Sequence, residues 1–99
     1  MTDTPLDLEG IAYLINIARG KDDLLVWTVY QRPADFPEEF VARPFSVKTC
    51  DSTAGGPVSL GVHFKAPHLE MVRDAFLRMG LTRLPRDPSD DANIVESWI

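Results

Sequence analysis

Two kinds of apolar repeat run along the chain. Val58, Leu60, Val62 and Phe64 fall on one side of a two-residue alternation. Ser59, Gly61, His63 and Lys65 fall on the other, which predicts a strand over 58–65 with one face on a core and His63 on the solvent side. The run LLVWTVY (24–30) is β-branched and aromatic without a breaker, and reads as a strand buried on both faces near its middle. FVARPFSVK (40–48) reads as a second strand, but Pro44 cannot donate to a ladder, so an edge or a bulge is expected there. NIVESWI (93–99) ends the chain as a short strand.

Helical spacing appears twice. Leu69, Val72, Phe76 and Met79 recur on one helical face between an opening Pro67 and a closing Gly80. Leu8, Ile11, Leu14, Ile15 and Ala18 predict an earlier helix over 5–19, with Thr4 as cap, Pro5 and Asp7 in the first turn and Gly20 just past the end. Gly10 and the strand-like run Tyr13–Ile17 pull the other way. Lys21-Asp22-Asp23 is a polar link, and residues 50–57 form a loop around Gly55-Gly56-Pro57. LTRLPRDPSDDA (81–92) is too rich in Pro and Asp to predict regular structure. The order α-β-β-β-α-β predicts an α+β fold, a mixed and mainly antiparallel four-stranded sheet with helices on one face. Residues 24–99 would form its sheet-and-helix core and residues 1–23 a helical extension, within a single domain of 99 residues.

Composition narrows function more than it defines it. An apolar fraction of 44 % with 25 % charged residues is that of a globular protein rather than a disordered chain. A net charge of −5 weighs against binding nucleic acid or anionic membrane, both of which need cations. IAYLINIA is far too short to span a bilayer, the acidic start MTDTPLDLEG lacks a signal-peptide pattern, and one cysteine suits a reducing compartment. A cytoplasmic protein is expected.

Trp27-Thr28-Val29-Tyr30, Asp35-Phe36-Pro37 and Phe40-Val41-Ala42-Arg43 form an ordered series of short motifs. It continues with Gly80-Leu81, Leu84-Pro85-Arg86, Asp90-Asp91 and Ile94-Val95-Glu96-Ser97-Trp98-Ile99. In these motifs residues 26–99 resemble a family of small uncharacterised bacterial and phage-borne proteins. Residues 1–23 lie outside the resemblance, and Pro44 stands where that pattern more often has a basic or polar residue. The resemblance implies one compact unit and no activity, cofactor or catalytic residue.

Each candidate for chemistry has a plainer alternative. Cys50 with His63 or His68 would suggest a nucleophile and base, but adjacent Asp51 should raise the thiol pKa, so an inert thiol is favoured. His63 and His68 lack metal-ligand spacing, and His68 near a helix start should be harder to protonate. Asp35, Glu38 and Glu39 sit in the 31–39 loop and read as a solvated turn, with Phe36, held between Pro33 and Pro37, plugging the end of the core. No phosphate-binding or nucleophile-elbow motif occurs, and no cofactor is expected. Arg78, Arg83 and Arg86 cluster late in the chain, and Arg32 and Arg43 flank the 31–39 loop. They are the best candidates for contacting an anionic partner, against internal pairing with Asp35, Asp87, Asp90 or Asp91. Trp27 reads as core; Trp98, if exposed beside an edge strand, would mark a partner contact.

These readings favour a small non-catalytic interaction or regulatory protein, with a protein partner or a homodimer formed through a sheet edge. The alternatives are a small-molecule binder or enzyme with an anion pocket near Arg43, Arg83 and Arg86, and an acidic nucleic-acid mimic, which needs the fifteen acids on one face. A pocket gathering those arginines would favour the binder; a flat apolar patch would favour the interaction protein.

Overall fold

The computed structural model describes residues 4–21, 23–34, 36–47 and 58–99. Cys50, Asp35 and the Gly55-Gly56 turn lie outside the described residues. In chain order the elements are β1 (Thr4–Pro5), α1 (Leu8–Gly20), β2 (Leu24–Gln31), β3 (Phe40–Val47), β4 (Val58–Ser59), β5 (Val62–Ala66), α2 (Leu69–Arg78), β6 (Arg83–Pro85) and β7 (Ile94–Trp98). Six strands lie side by side in the order β1-β5-β3-β2-β7-β6, and β4 pairs with β3 beyond the end of β5. The fold is α+β with a mixed sheet, but the sheet is wider than the four strands expected.

The two extra strands close the edges. Thr4 and Pro5 do not open the helix; they pair in parallel with Val62 and His63. Arg83–Pro85, inside the segment expected to be irregular, pairs antiparallel with Glu96–Trp98. Pro85 is tolerated there because an edge strand has one side with no ladder to complete. Reciprocal bonds between Thr82 and Ile99, at 2.7 and 3.0 Å, extend the pairing. Following the pairings across the sheet, β1, β2, β5 and β6 run one way while β3 and β7 run the other. Both helices therefore join strands of the same direction, one crossover more than the pattern predicts.

Local chemistry sets each boundary. Asp7, not Thr4, caps α1 by accepting from the Gly10 N–H at 2.8 Å. Gly10 makes room for Leu6, whose Cδ2 would stand 2.9 Å from a Cβ at that position. Helix α2 closes with Gly80 at φ 78°, Gly80 N–H bonded to Leu77 O and Leu81 N–H to Phe76 O, a Schellman ending.

Pro44 sits in a central strand, with β2 on one side and β4 and β5 on the other. The sheet accommodates it by a break in the neighbour. Between the pairs Ala42↔Phe64 and Phe45↔Ser59, β3 advances three residues and its partner five. Leu60 and Gly61 bulge out at this break, with Gly61 at φ 70°. Leu60 N–H reaches the Pro44 carbonyl at 3.3 Å, and the Gly61 carbonyl accepts from Thr4 N–H. The bulge alternative for Pro44 is correct and the edge alternative is not.

Both helices cover one face of the sheet. Ile11 and Ile15 from α1 and Val72 and Phe76 from α2 share a core cluster with Trp27, Val29, Ala42, Ala66 and Trp98. The N-terminal segment thus belongs to the layer that covers the sheet. Among the described residues, the other face carries no helix.

Candidate functional site

Strand register decides which side chains share a face. Residues directly opposite in a ladder point the same way, so Arg83, Trp98, Trp27 and Pro44 form one row toward the helices. The next row, Leu84, Ser97, Thr28 and Arg43, points to the helix-free side. Arg43 and Arg83 are therefore on opposite faces and cannot meet in one pocket. The remaining arginines are also dispersed. Arg78 at the end of α2 pairs with Asp74 at 3.0 Å, and Arg86 donates to the Asp90 backbone carbonyl at 2.9 Å. Arg32 begins the β2–β3 connection at φ 47°. None of the four principal hollows among the described residues is lined by Arg43, Arg83 or Arg86.

The acids of the 86–93 loop are turn builders. Asp87 Oδ1 accepts from the Ser89 N–H at 2.8 Å and hydroxyl at 2.7 Å, which holds its carboxyl below the usual range. Asp90 and Asp91 accept backbone N–H bonds from Asp87 and Asn93. Among the described residues no three His, Cys, Asp or Glu side chains are grouped to hold a metal ion.

On the helix side the polar centre is Glu96, only 1 % exposed. Arg73 of α2 grips it with Nε at 3.1 and 3.2 Å and Nη2 at 2.7 Å, and Trp98 Nε1 donates to Oε2 at 2.8 Å. Arg83 adds its charge from 3.7 Å. Burial alone would push the Glu96 carboxyl up; the Arg73 and Trp98 hydrogen bonds and the two guanidinium charges outweigh it and hold the group below its ordinary value. Arg73 and Glu96 were not singled out as candidates. The signal was present: a Glu two residues from a Trp in a strand shares its face, and a buried Glu requires a cation. Trp98 is not a surface contact. It is 1 % exposed and packs against Phe76 with ring centroids 5.5 Å apart.

On the helix-free side, His63 is buried rather than solvated, at 3 % exposure. The alternation places it correctly opposite Phe64, but the 32–39 connection folds over it and the Phe36 ring lies 4.9 Å from the imidazole. Lys65 Nζ stands 4.5 Å above the Phe36 ring and pairs with Glu39 at 3.4 Å. Backbone bonds from Phe36 to Pro33, Glu39 to Phe36 and Arg32 to Glu39 fix the loop. Val41, fully buried on this face, lies outside the main cluster, so the loop shelters a small satellite core. Phe36 does not plug the main core. Because Phe36 is only half-buried, Phe36→Ala should cost about 1–2 kcal/mol in urea unfolding. Glu38→Gln with Glu39→Gln should cost under about 1 kcal/mol. A loss above about 3 kcal/mol from the alanine variant would place Phe36 in the main core after all.

Beyond the loop, no helix among the described residues covers this face. Val26, Thr28, Tyr30, Phe45 and Ile94 line a shallow apolar hollow of about 370 Å3. A register shift in the β2–β7 ladder, which leaves Val95 unpaired, turns Ile94 to this side. The Arg43 guanidinium lies 5.6 Å from the Tyr30 ring centre. Partial burial raises the Tyr30 phenol pKa, nearby Arg43 lowers it, and Asp91 adds to the rise, so charges of both signs border the patch.

At one end of the helix side, Ile15, Ala18, Leu25, Trp27 and Leu81 line a cavity of about 200 Å3 with Arg19 and Asp23 in its wall. The buried Trp27 Nε1 has no hydrogen-bond acceptor among the described residues. A buried donor left without an acceptor costs about 1–3 kcal/mol. No helix among the described residues is long and apolar enough to cross a membrane. No protein-family model matches the chain, and no curated protein or solved structure matches it.

Proposed function

We propose that this protein is a non-catalytic interaction module that pairs with a second copy of itself through the helix-free face of its sheet. The observation that carries this reading is the half-buried apolar patch of Val26, Tyr30, Phe45 and Ile94, which no helix among the described residues covers while the other face holds both helices. A sheet edge is a weaker candidate, because β1 has two residues with a proline and β6 has three ending in a proline. A two-fold contact requires a self-complementary surface. Arg43 and Lys65 together with Glu39 and Asp91 supply both signs around the apolar centre.

The dispersed arginines give the anion-pocket reading no shared site. The mimicry reading has no single acidic face behind it among the described residues, whose acids are spread over α1, α2 and the 86–93 loop, with Glu96 turned inward. The resemblance to small bacterial and phage-borne proteins adds no activity.

The expected dimer is weak. Four strands about 4.8 Å apart and five residues long present roughly 300 Å2 per copy, well below the ~800 Å2 of a standard interface. The dissociation constant should be on the order of 100 μM. Sedimentation equilibrium from about 10 μM to 1 mM should show the mass rising toward that of a dimer. Phe45→Asp should keep the protein monomeric, whereas Met71→Asp on exposed α2 should not. A monomer at every concentration would reject the proposal.

A further inference from the structure

We propose that Arg73 and Arg83 form a two-guanidinium fork that binds the carboxylate of a compact organic acid on the helix side of the sheet, away from the self-association surface. Glu96 Oε1 lies 2.7 Å from Arg73 Nη2 and 3.7 Å from Arg83 Nη1, so one buried oxygen holds the two groups side by side. The neighbour of Arg83 is thus Arg73 of α2, not Arg43, which lies on the opposite face. The donors are only partly used. Arg73 turns its Nε–Nη2 edge to Glu96, leaving Nη1 and the outer N–H of Nη2 directed away from that carboxylate. Arg83 at 3.7 Å is beyond hydrogen-bond length, and none of its N–H groups has an acceptor among the described residues. The two side chains are 37 % and 54 % exposed, so a solute reaches both.

Charge and surroundings select the ligand. Two guanidiniums against the one Glu96 carboxylate leave a unit of positive charge, which suits a monoanion. Planar guanidiniums match the planar carboxylate, with N–H···O contacts of about 2.8 Å. Glu70, one turn earlier on α2, also acts on Arg73 and weighs against a phosphate dianion. Leu77 follows Arg73 by four residues on α2 and is 64 % exposed. Pro85 stands directly opposite Glu96 on the exposed strand β6. An apolar group beside the bound carboxylate would rest against these two side chains.

Benzoate, benzamide and inorganic phosphate test the site in 1H–15N spectra that resolve the arginine Nε–H signals, at matched ionic strength. A protein concentration of about 20 μM lies below the expected dimer dissociation constant and keeps self-association out of the reading. Benzoate should move the Arg73 and Arg83 signals saturably and leave that of Arg78 in place. Benzamide, of the same shape without the charge, should bind roughly tenfold more weakly or worse. Arg83→Met should weaken benzoate binding by roughly tenfold or more while the protein stays folded, and Arg78→Met should leave it unchanged. Leu77→Glu sets a negative charge beside the fork at an exposed position and should weaken binding too, which decides the matter if Arg83→Met does not fold. No saturable shift at Arg83, equal affinity for benzoate and benzamide, unchanged affinity in the Arg83→Met or Leu77→Glu variant, or tighter binding of phosphate than of benzoate would overturn the assignment.

Discussion

Phe76→Ala is expected to destabilise the protein by about 3–5 kcal/mol, the loss of a fully buried aromatic together with the cavity it leaves. Phe76 is where α2 meets the sheet. Its ring stands 5.2 Å from Trp27, 5.5 Å from Trp98 and 6.4 Å from Phe64, all tilted, so one side chain joins residues from three strands. Its carbonyl also accepts the bond that closes the helix. Phe76→Leu keeps most of the volume and should cost under about 1.5 kcal/mol. The neighbouring Leu77→Ala, at an exposed position, should change stability by about 0.5 kcal/mol or less. Urea unfolding followed by tryptophan fluorescence measures all three. A Phe76→Ala loss below about 1 kcal/mol would mean that α2 is not seated on this aromatic cluster.

Arg73→Met should cost about 2–3 kcal/mol. Breaking a buried pair leaves an uncompensated charge, at up to about 3–5 kcal/mol, but Arg73 is partly exposed and Arg83 and Trp98 still face the carboxylate. Arg83→Met should cost under about 1 kcal/mol, since that side chain is exposed and 3.7 Å away. Combining Arg73→Met with Glu96→Gln removes the stranded charge and keeps an oxygen for Trp98. The double variant should therefore lose about 1–2 kcal/mol less than the sum of the singles.

The same group gives stability a pH dependence with a defined sign. Glu96 has a folded pKa below its unfolded value of about 4.3, so the unfolded chain takes up its proton first as pH falls. The contribution is complete above about pH 5 and declines as pH drops through the folded pKa. Unfolding midpoints between pH 7 and pH 3 should fall less steeply in Glu96→Gln than in the parent. Parallel slopes would show that another carboxylate dominates.

What could be read in advance follows from where the signal resides. Residues 24–31, 40–47 and 94–98 and the stripe of α2 are written in their own hydrophobicity, and the observed bounds stay within two residues of expectation. Strands β1 and β6 have two and three residues and exist because a neighbour offers hydrogen bonds, which composition does not record. The same holds for the arginines. Their chemistry is legible in their type, but whether Arg43 and Arg83 converge depends on ladder register, and a one-residue difference puts them on opposite faces. His63 fails for another reason: its face is right, but period-two alternation says nothing about a loop that folds over that face. Trp98 is settled by its neighbours: it pairs with Trp27 on one side and Arg83 on the other, so its strand is not an edge, which nothing in its own segment records.

The central claim is that the helix-free face is where this protein makes contact. Amide and methyl NMR spectra of the uniformly labelled protein, recorded over a dilution series from about 1 mM to 20 μM, test it residue by residue. Concentration-dependent shifts are expected at Val26, Thr28, Tyr30, Arg43, Phe45 and Ile94, while Tyr13, Met71 and Leu77 on the outer helix surfaces stay fixed. Shifts confined to the helices or to Thr4–Pro5 and Arg83–Pro85, or none over the whole range, would contradict it.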